Sequence, residues 1–266
     1  FRGFEFLADA VFGAETPADT ADEHELFRRW IRHWDRSDET RIGARGYLRR
    51  AWTPHAVSLR VMRLARLCAW VRRDTGVEAL TARLVYRNAA FLSNHVEHDV
   101  GGNHLIENGA ALVSAGIAFD EARWIDDGTA VLSTAADEQF LADGFHFECS
   151  PMYHVIALTR YLTVCDLLER SGRSVPPSLR SVAERGAAFL SFLRPPDGRI
   201  PLLNDSVYGQ TLPIDDCLRY AAAIGAIDPS RVDGRSDDER ATTTASGYHW
   251  LETAGGAMLV DGGSVG

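Results

Sequence analysis

The sequence predicts a mainly α-helical protein whose chain ends in the first strands of a β-structure. Along most of its length apolar residues recur every three or four positions, which is the spacing of one face of a helix. Near the C-terminus the pattern changes to two short apolar segments separated by Gly255 and Gly256, typical of strands joined by a turn. Repeated helix pairs fit a bundle, a solenoid or an incomplete α/α toroid, and periodicity alone leaves these three open.

The helical segments follow one another with recognisable start and stop signals. In the first segment Leu26, Trp30 and Trp34 share one face, and Gly76 is interpreted as the stop after the second. Pro151 suits the first turn of a helix, and a pair of prolines ends the last segment. Helices are predicted at about residues 23–34, 57–71, 79–94, 103–112, 129–141, 151–168 and 179–193.

The C-terminal part of the chain predicts a second domain. Residues 235–244 are polar and charged, which indicates a linker, and residues 248–251 and 257–260 are predicted strands. We therefore expect a helical domain over residues 1–240, and a linker with the start of a C-terminal β-domain over residues 241–266. The chain begins at Phe1 and stops within a strand-like segment, so we expect both ends to be truncations and the rest of the β-domain to be missing.

Composition narrows the possible partners. The 266 residues carry a formal net charge of −9, and all 28 basic residues are arginine. This balance argues against a nucleic-acid partner, although a local arginine cluster can still hold an anion. No apolar run approaches the ~20 residues that span a bilayer, so no membrane partner is expected. The four cysteines form no CxxC pair and are predicted to be free, buried thiols.

Polar residues gather in three clusters. The densest runs from residue 94 to residue 108, where two glycines let the backbone turn onto a helix that carries Asn103, His104 and Glu107. Asn103 and Glu107 are four apart and so face one side of that helix. The second cluster covers residues 143–154 and places Glu148, Tyr153 and two histidines at a helix entrance, and the third covers residues 204–206.

Each cluster also has a structural explanation. Asn103 could simply cap a helix, His104 could be a core histidine, Tyr153 could be an ordinary buried helix residue, and Asp205 with Ser206 could be turn residues. A metal site is a further alternative, because imidazole and carboxylate groups are common zinc ligands. Its ligands would be His95, His98, Asp99 and His104. We expect neither a metal nor a cofactor.

Four sequence blocks resemble the heparinase II/III-like polysaccharide lyases and occur in the order expected for that family. They are WTPHAVSLR at 52–60, GNHLIENG at 102–109, DGFHFECSPMYH at 143–154 and NDS at 204–206. The resemblance runs from about residue 24 to the end of the chain. It implies an incomplete α/α toroid, which is the catalytic domain, followed by an antiparallel β-sandwich.

The resemblance also implies a function. Family members cleave uronic-acid polysaccharides such as heparan sulfate, other glycosaminoglycans and alginate by β-elimination, so the expected partner is an anionic uronic-acid polysaccharide or oligosaccharide. A periplasmic or secreted location is implied as well, although no signal peptide is visible. Two alternatives stay open: a uronate C5-epimerase that uses the same proton abstraction, and a non-catalytic glycan-binding domain in polysaccharide assembly.

The family motif assigns roles to individual residues. Asn103 and His104 match the groups that neutralise the uronate carboxylate, and Tyr153 matches the tyrosine that works at C5 or at the glycosidic oxygen. Glu107 is expected to orient His104 or to keep it protonated. The family usually adds a histidine or tyrosine from the β-domain, so this chain alone is expected to have little or no activity. The predicted substrate-binding residues are Glu107, His154, Glu148, Asn204 and Arg60.

Overall fold

The computed structural model describes residues 21–36, 42–43, 45–49, 51–70, 75–232, 245–253 and 256–263. This part of the chain holds eight α-helices, two short 3-10 turns and one antiparallel pair of strands. The helices are α1 (Ala21–Arg36), α2 (Pro54–Trp70), α3 (Thr75–Leu92), α4 (Gly102–Phe119), α5 (Ala122–Glu138), α6 (Pro151–Arg170), α7 (Pro177–Leu193) and α8 (Ile214–Ala223). The strands are β1 (Tyr248–Thr253) and β2 (Gly256–Asp261).

The chain divides into two compact units, Phe1–Ala130 and Val131–Gly266. The division lies inside the region predicted as one helical domain. The predicted boundary at residue 240 and the predicted linker at 235–244 lie outside the described residues, so the domain limits stay a prediction.

The first unit is built around α2, which packs against both α3 and α4. Its core contains the fully buried Phe27, Ile31, Trp52 and Leu64, and burying an aliphatic or aromatic side chain of this size contributes about 1.5–3 kcal/mol. The face of α1 that enters this core differs from the predicted one, because Leu26 is 38% exposed. Phe27, Ile31 and Trp34, rather than Leu26, form the buried stripe of α1.

The second unit is built from α6, α7 and α8, with β1 covering an aromatic cluster. α7 packs against both α6 and α8, and Phe145, Phe189, Tyr248 and Trp250 belong to one buried cluster. The Trp250 Nε1–H donates to the Phe192 carbonyl at 2.8 Å. Strand β1 pairs with β2 in the register Tyr248↔Asp261 to Thr253↔Gly256.

The mainly helical fold with a C-terminal strand pair is confirmed, with corrections at several elements. Helix α5 begins at Ala122, seven residues before the predicted start at Thr129, and α8 was not predicted. Gly76 was predicted to stop a helix, but it lies in the first turn of α3. None of the four cysteines, all of which the structure describes, forms a disulfide, as expected, although Cys68 and Cys149 are only partly buried. In the described part of the chain, none of the helices is both long and apolar enough to cross a membrane.

Candidate active site

The N-terminus of α4 presents Asn103 and His104 at a tight turn. Gly101 and Gly102 both have positive φ, 66° and 54°, a conformation that costs glycine little and other residues much more. Asn103 and His104 follow in the first helical turn, and both are partly exposed. The backbone N–H groups of a first turn lack helical acceptors and carry partial positive charge, so this position suits a carboxylate ligand.

His104 is held by two groups that sequence reasoning did not single out. Its imidazole stacks on the His55 ring, with centroids 4.2 Å apart and planes 8° from parallel. Its Nδ1 is buried and has no hydrogen bond within the described residues. The Glu97 carboxylate lies 3.5 Å from this atom.

Glu97 is itself fixed by a short polar network. Its backbone N–H donates to Asn108 Oδ1 at 2.8 Å, and Asn108 Nδ2 donates to Glu97 Oε2 at 3.3 Å and to Ser58 Oγ at 3.0 Å. The carboxylate that the structure places at His104 Nδ1 is therefore that of Glu97. Glu107 was expected in this role; it is only 2% exposed and its part in orienting His104 stays a prediction.

Arg60 requires a correction. It was predicted to bind the substrate, but it is fully buried and donates through Nε and Nη2 to Asn88 Oδ1, at 2.8 and 2.6 Å, and through Nη2 to the Ala51 carbonyl at 2.8 Å. Its guanidinium also lies over the Trp52 ring. Burial, together with the nearby charge of Arg87, lowers the pKa of Arg60 to about 9. These contacts make Arg60 a core residue of the first unit.

In the second unit, the third polar cluster, residues 204–206, caps the helix that carries Tyr153. The Met152 N–H donates to Ser206 Oγ at 3.0 Å, and the Ser150 and Ser206 hydroxyls are 3.1 Å apart. Ser206 therefore satisfies a free N–H at the start of α6 from a distant loop, in the way that a local capping serine would. Tyr153 lies in the same first turn and is partly exposed.

His154 also requires a correction. It was predicted to bind the substrate, but it is fully buried. Its Nδ1 accepts from the His146 backbone N–H at 3.3 Å, and its Nε2–H donates to the Gly186 carbonyl at 3.0 Å. Burial lowers the pKa of His154 to about 4 and that of His146 to about 3. His154 is thus a neutral core residue with both ring nitrogens engaged.

Asn204 connects the entrance of α6 to the strand pair. Its Nδ2 donates to the Cys149 carbonyl at 2.6 Å, and the Tyr248 hydroxyl and Asp261 Oδ2 are each 3.2 Å away. The Tyr248 hydroxyl donates to the same Cys149 carbonyl at 2.8 Å. Asn204 remains exposed and Glu148 partly exposed, so both keep a surface that a substrate could reach.

The Cys149 thiol is a poor candidate nucleophile. Burial raises its pKa, and the Asp261 and Asp143 carboxylates act in the same direction, so the reactive thiolate is disfavoured. Among the described residues, no group of three His, Cys, Asp or Glu side chains could hold a metal ion. His95, which belonged to the metal alternative, stacks on Phe91 with centroids 4.0 Å apart.

Comparison with known proteins identifies the family. The chain belongs to the heparinase II/III family, since the family model described as Heparinase II/III N-terminus matches residues 20–223. A heparin-sulfate lyase of Pedobacter heparinus is 32% identical over 127 residues, which cover 46% of this chain and 19% of that protein. A heparin-sulfate lyase of Bacteroides thetaiotaomicron is 29% identical over 173 residues, which cover 59% of this chain and 24% of that protein. The chain thus spans about a fifth to a quarter of the length of these relatives.

Solved structures support the same fold. A heparinase III structure with methylated lysines matches 99% of this chain and 47% of its own, with a TM-score of 0.68 at 19% identity. A mutant heparan sulfate lyase from Pedobacter heparinus matches 69% of this chain and 30% of its own, with a TM-score of 0.56 at 26% identity. These likenesses confirm the predicted fold class, an incomplete α/α toroid followed by the first strands of a β-domain.

Proposed function

We propose that the protein carrying this chain is a polysaccharide lyase of the heparinase type that cleaves a uronic-acid polysaccharide by β-elimination. The observation that carries the proposal is the first turn of α4, where Asn103 and His104 are partly exposed beside free backbone N–H groups. The heparin-sulfate lyase relatives favour a glycosaminoglycan substrate. Alginate is a second uronate polymer to be tested.

The chemistry requires neutralisation of the uronate carboxylate. The proton at C5 lies next to that carboxylate, and its removal builds further negative charge on the same group. Donors fixed in position before the reaction stabilise this charge without reorganising, and the loss of one such donor typically costs about 10²–10³-fold in kcat. We assign this task to the Asn103 amide and to the His104 imidazole, at the positive end of the α4 dipole.

Elimination then needs a base and an acid. A base removes the C5 proton, the electron pair of that bond forms the C4–C5 double bond, and the C4–O bond breaks with its electrons on the leaving oxygen. That oxygen takes a proton and becomes the new chain end. We assign Tyr153 to this proton transfer, at C5 or at the glycosidic oxygen. Glu148 and Asn204 stay predicted substrate contacts, whereas Arg60, His154 and Glu107, which are all buried, are withdrawn.

A panel of polysaccharides tests the proposal. The full-length protein that carries this chain is incubated with heparan sulfate, other glycosaminoglycans and alginate, and the double bond of the product is followed by far-ultraviolet absorbance. A lyase produces this absorbance with at least one polymer. An epimerase instead incorporates deuterium at C5 without absorbance, and a non-catalytic domain binds the polymer and does neither, so either result would rule out the lyase.

Site variants test the residue assignment. Asn103→Ala and Tyr153→Phe are each expected to lower kcat about 10²-fold or more. Tyr86→Phe is the matched control, because Tyr86 is 47% exposed and makes ring contacts with Phe119 and Trp124 that a phenylalanine keeps. Full activity in either site variant would remove that residue from the mechanism.

A further inference from the structure

We infer that Glu97 is the positioning residue of His104. Its carboxylate keeps the proton of the imidazole on Nδ1 and thereby turns Nε2 towards the substrate. This inference rests on the proposed function of the α4 turn and adds a residue that the family motif did not point to. Glu97 lies in the loop between α3 and α4, seven residues before His104 and outside the helix.

The first argument is the burial of a single ring nitrogen. The His104 side chain is 36% exposed, yet its Nδ1 is inaccessible to solvent and lacks a hydrogen bond within the described residues. The exposed surface of the side chain therefore comes from its other atoms. Because a buried nitrogen without a partner is costly, the acceptor nearest to Nδ1 decides which nitrogen holds the proton.

The second argument is that Glu97 is prepared for this contact. Its side chain is 14% exposed and Oε1 lies 3.5 Å from His104 Nδ1, so an approach of about 0.6 Å would make a charge-assisted hydrogen bond. Oε2 is held by the Asn108 amide at 3.3 Å. Asn108 is anchored in turn by Ser58, whose hydroxyl donates to the Pro54 carbonyl at 2.9 Å. One carboxylate oxygen is thus fixed and the other faces the ring.

The third argument is that the ring plane is also fixed. His55 covers one face of the His104 imidazole at 4.2 Å, so rotation of the ring would break this stacking. The Glu97 carboxylate, 3.5 Å from Nδ1, places an acceptor beside the ring in this orientation. With Nδ1–H on Glu97, a protonated ring donates from Nε2 to the uronate carboxylate, whereas a ring protonated only on Nε2 would leave Nδ1 unsatisfied.

Ring NMR tests the inference without relying on activity. The full-length protein is labelled with ¹⁵N-histidine, and the His104 signals are assigned with His104→Gln. We expect a protonated Nδ1 in the wild type, and a shift of the neutral ring to the Nε2–H tautomer in Glu97→Ala. Glu97→Gln should show a smaller change of the same sign, since an amide oxygen is a weaker acceptor, and it keeps the contact with Asn108 if the alanine variant does not fold. Glu25→Ala, at a surface carboxylate paired with Arg28, should change nothing.

Activity gives the second readout. Glu97→Ala should lower kcat/KM about 10-fold or more, the size of the loss when the group that orients a metal-binding histidine is removed, and Glu97→Gln should lower it less. His104 signals and kcat/KM unchanged in Glu97→Ala would overturn the inference while leaving the lyase proposal intact. If the wild type cleaves no polymer, the lyase proposal fails and the tautomer in Glu97→Ala alone decides the role of Glu97.

Discussion

Acid should destabilise the second unit through His146, a buried histidine that is neutral in the folded state. Burial, reinforced by the nearby His154, lowers the pKa of His146 from 6.5 to about 3. The unfolded chain therefore takes up a proton below pH 6.5, whereas the folded chain stays neutral until about pH 3. Above pH 6.5 neither state binds this proton, and stability falls as the pH drops through the interval between these two values.

The magnitude follows from the width of that interval. Each pH unit below 6.5 costs about 1.36 kcal/mol for one such histidine, so at pH 4.5 the loss is about 2.7 kcal/mol. His146→Gln removes the titrating ring while it keeps an amide that can reach Gln139, whose Oε1 lies 3.3 Å from His146 Nε2. It also removes Nδ1, which is buried and has no hydrogen bond within the described residues.

Urea unfolding at pH 7.5 and pH 4.5 measures the effect. Between the two pH values, His146→Gln should lose about 2–3 kcal/mol less of its free energy of unfolding than the wild type. His98→Gln is the matched control, because His98 is exposed, and it should lose as much as the wild type. Equal losses in wild type and His146→Gln would refute the claim that this histidine is neutral in the fold.

Three further substitutions test other contacts, each by urea unfolding. Ser206→Ala removes the acceptor of a first-turn N–H of α6 and should lower the free energy of unfolding by about 1 kcal/mol. It should also lower kcat, because Tyr153 lies in that turn. Arg60→Met leaves a buried amide oxygen and a carbonyl without their donor and should cost about 3 kcal/mol, with KM unchanged. Gly144→Ala places a Cβ 2.5 Å from a backbone carbonyl oxygen at φ +90° and should cost more than about 2 kcal/mol, unlike Gly172→Ala, where the φ is also positive but the space is open.

Local sequence patterns predicted most of the helices because each helix buries a regular stripe. The same pattern is present in α8, which follows a proline, carries two acidic residues in its first turn and buries Ile214, Cys217, Leu218 and Ala221 at helical spacing. This helix has only ten residues, so its pattern is weaker than that of the longer helices. In α1, several apolar residues could form the stripe, and only packing shows that Phe27 rather than Leu26 enters the core.

The site was predictable where a motif is local and unpredictable where partners are distant. The turn before Asn103 follows from two adjacent glycines. The burial of Arg60 depends on Asn88, 28 residues away, and that of His154 on Gly186, 32 residues away, and no local pattern signals such contacts. Glu97 lies in the same polar cluster as His104, but it precedes the helix, and helical spacing relates only Glu107 to His104.

A double-mutant comparison tests most directly whether Asn103 and Tyr153 serve the same reaction. The rates of double-bond formation from the best polymer are measured for the wild type, for Asn103→Ala, for Tyr153→Phe and for the variant with both changes. Residues that serve one transition state act as a unit, so the double variant should be about as slow as the slower single variant. If the two losses instead multiply in full, or if either single variant keeps the wild-type rate, the assignment of both residues to one reaction is wrong.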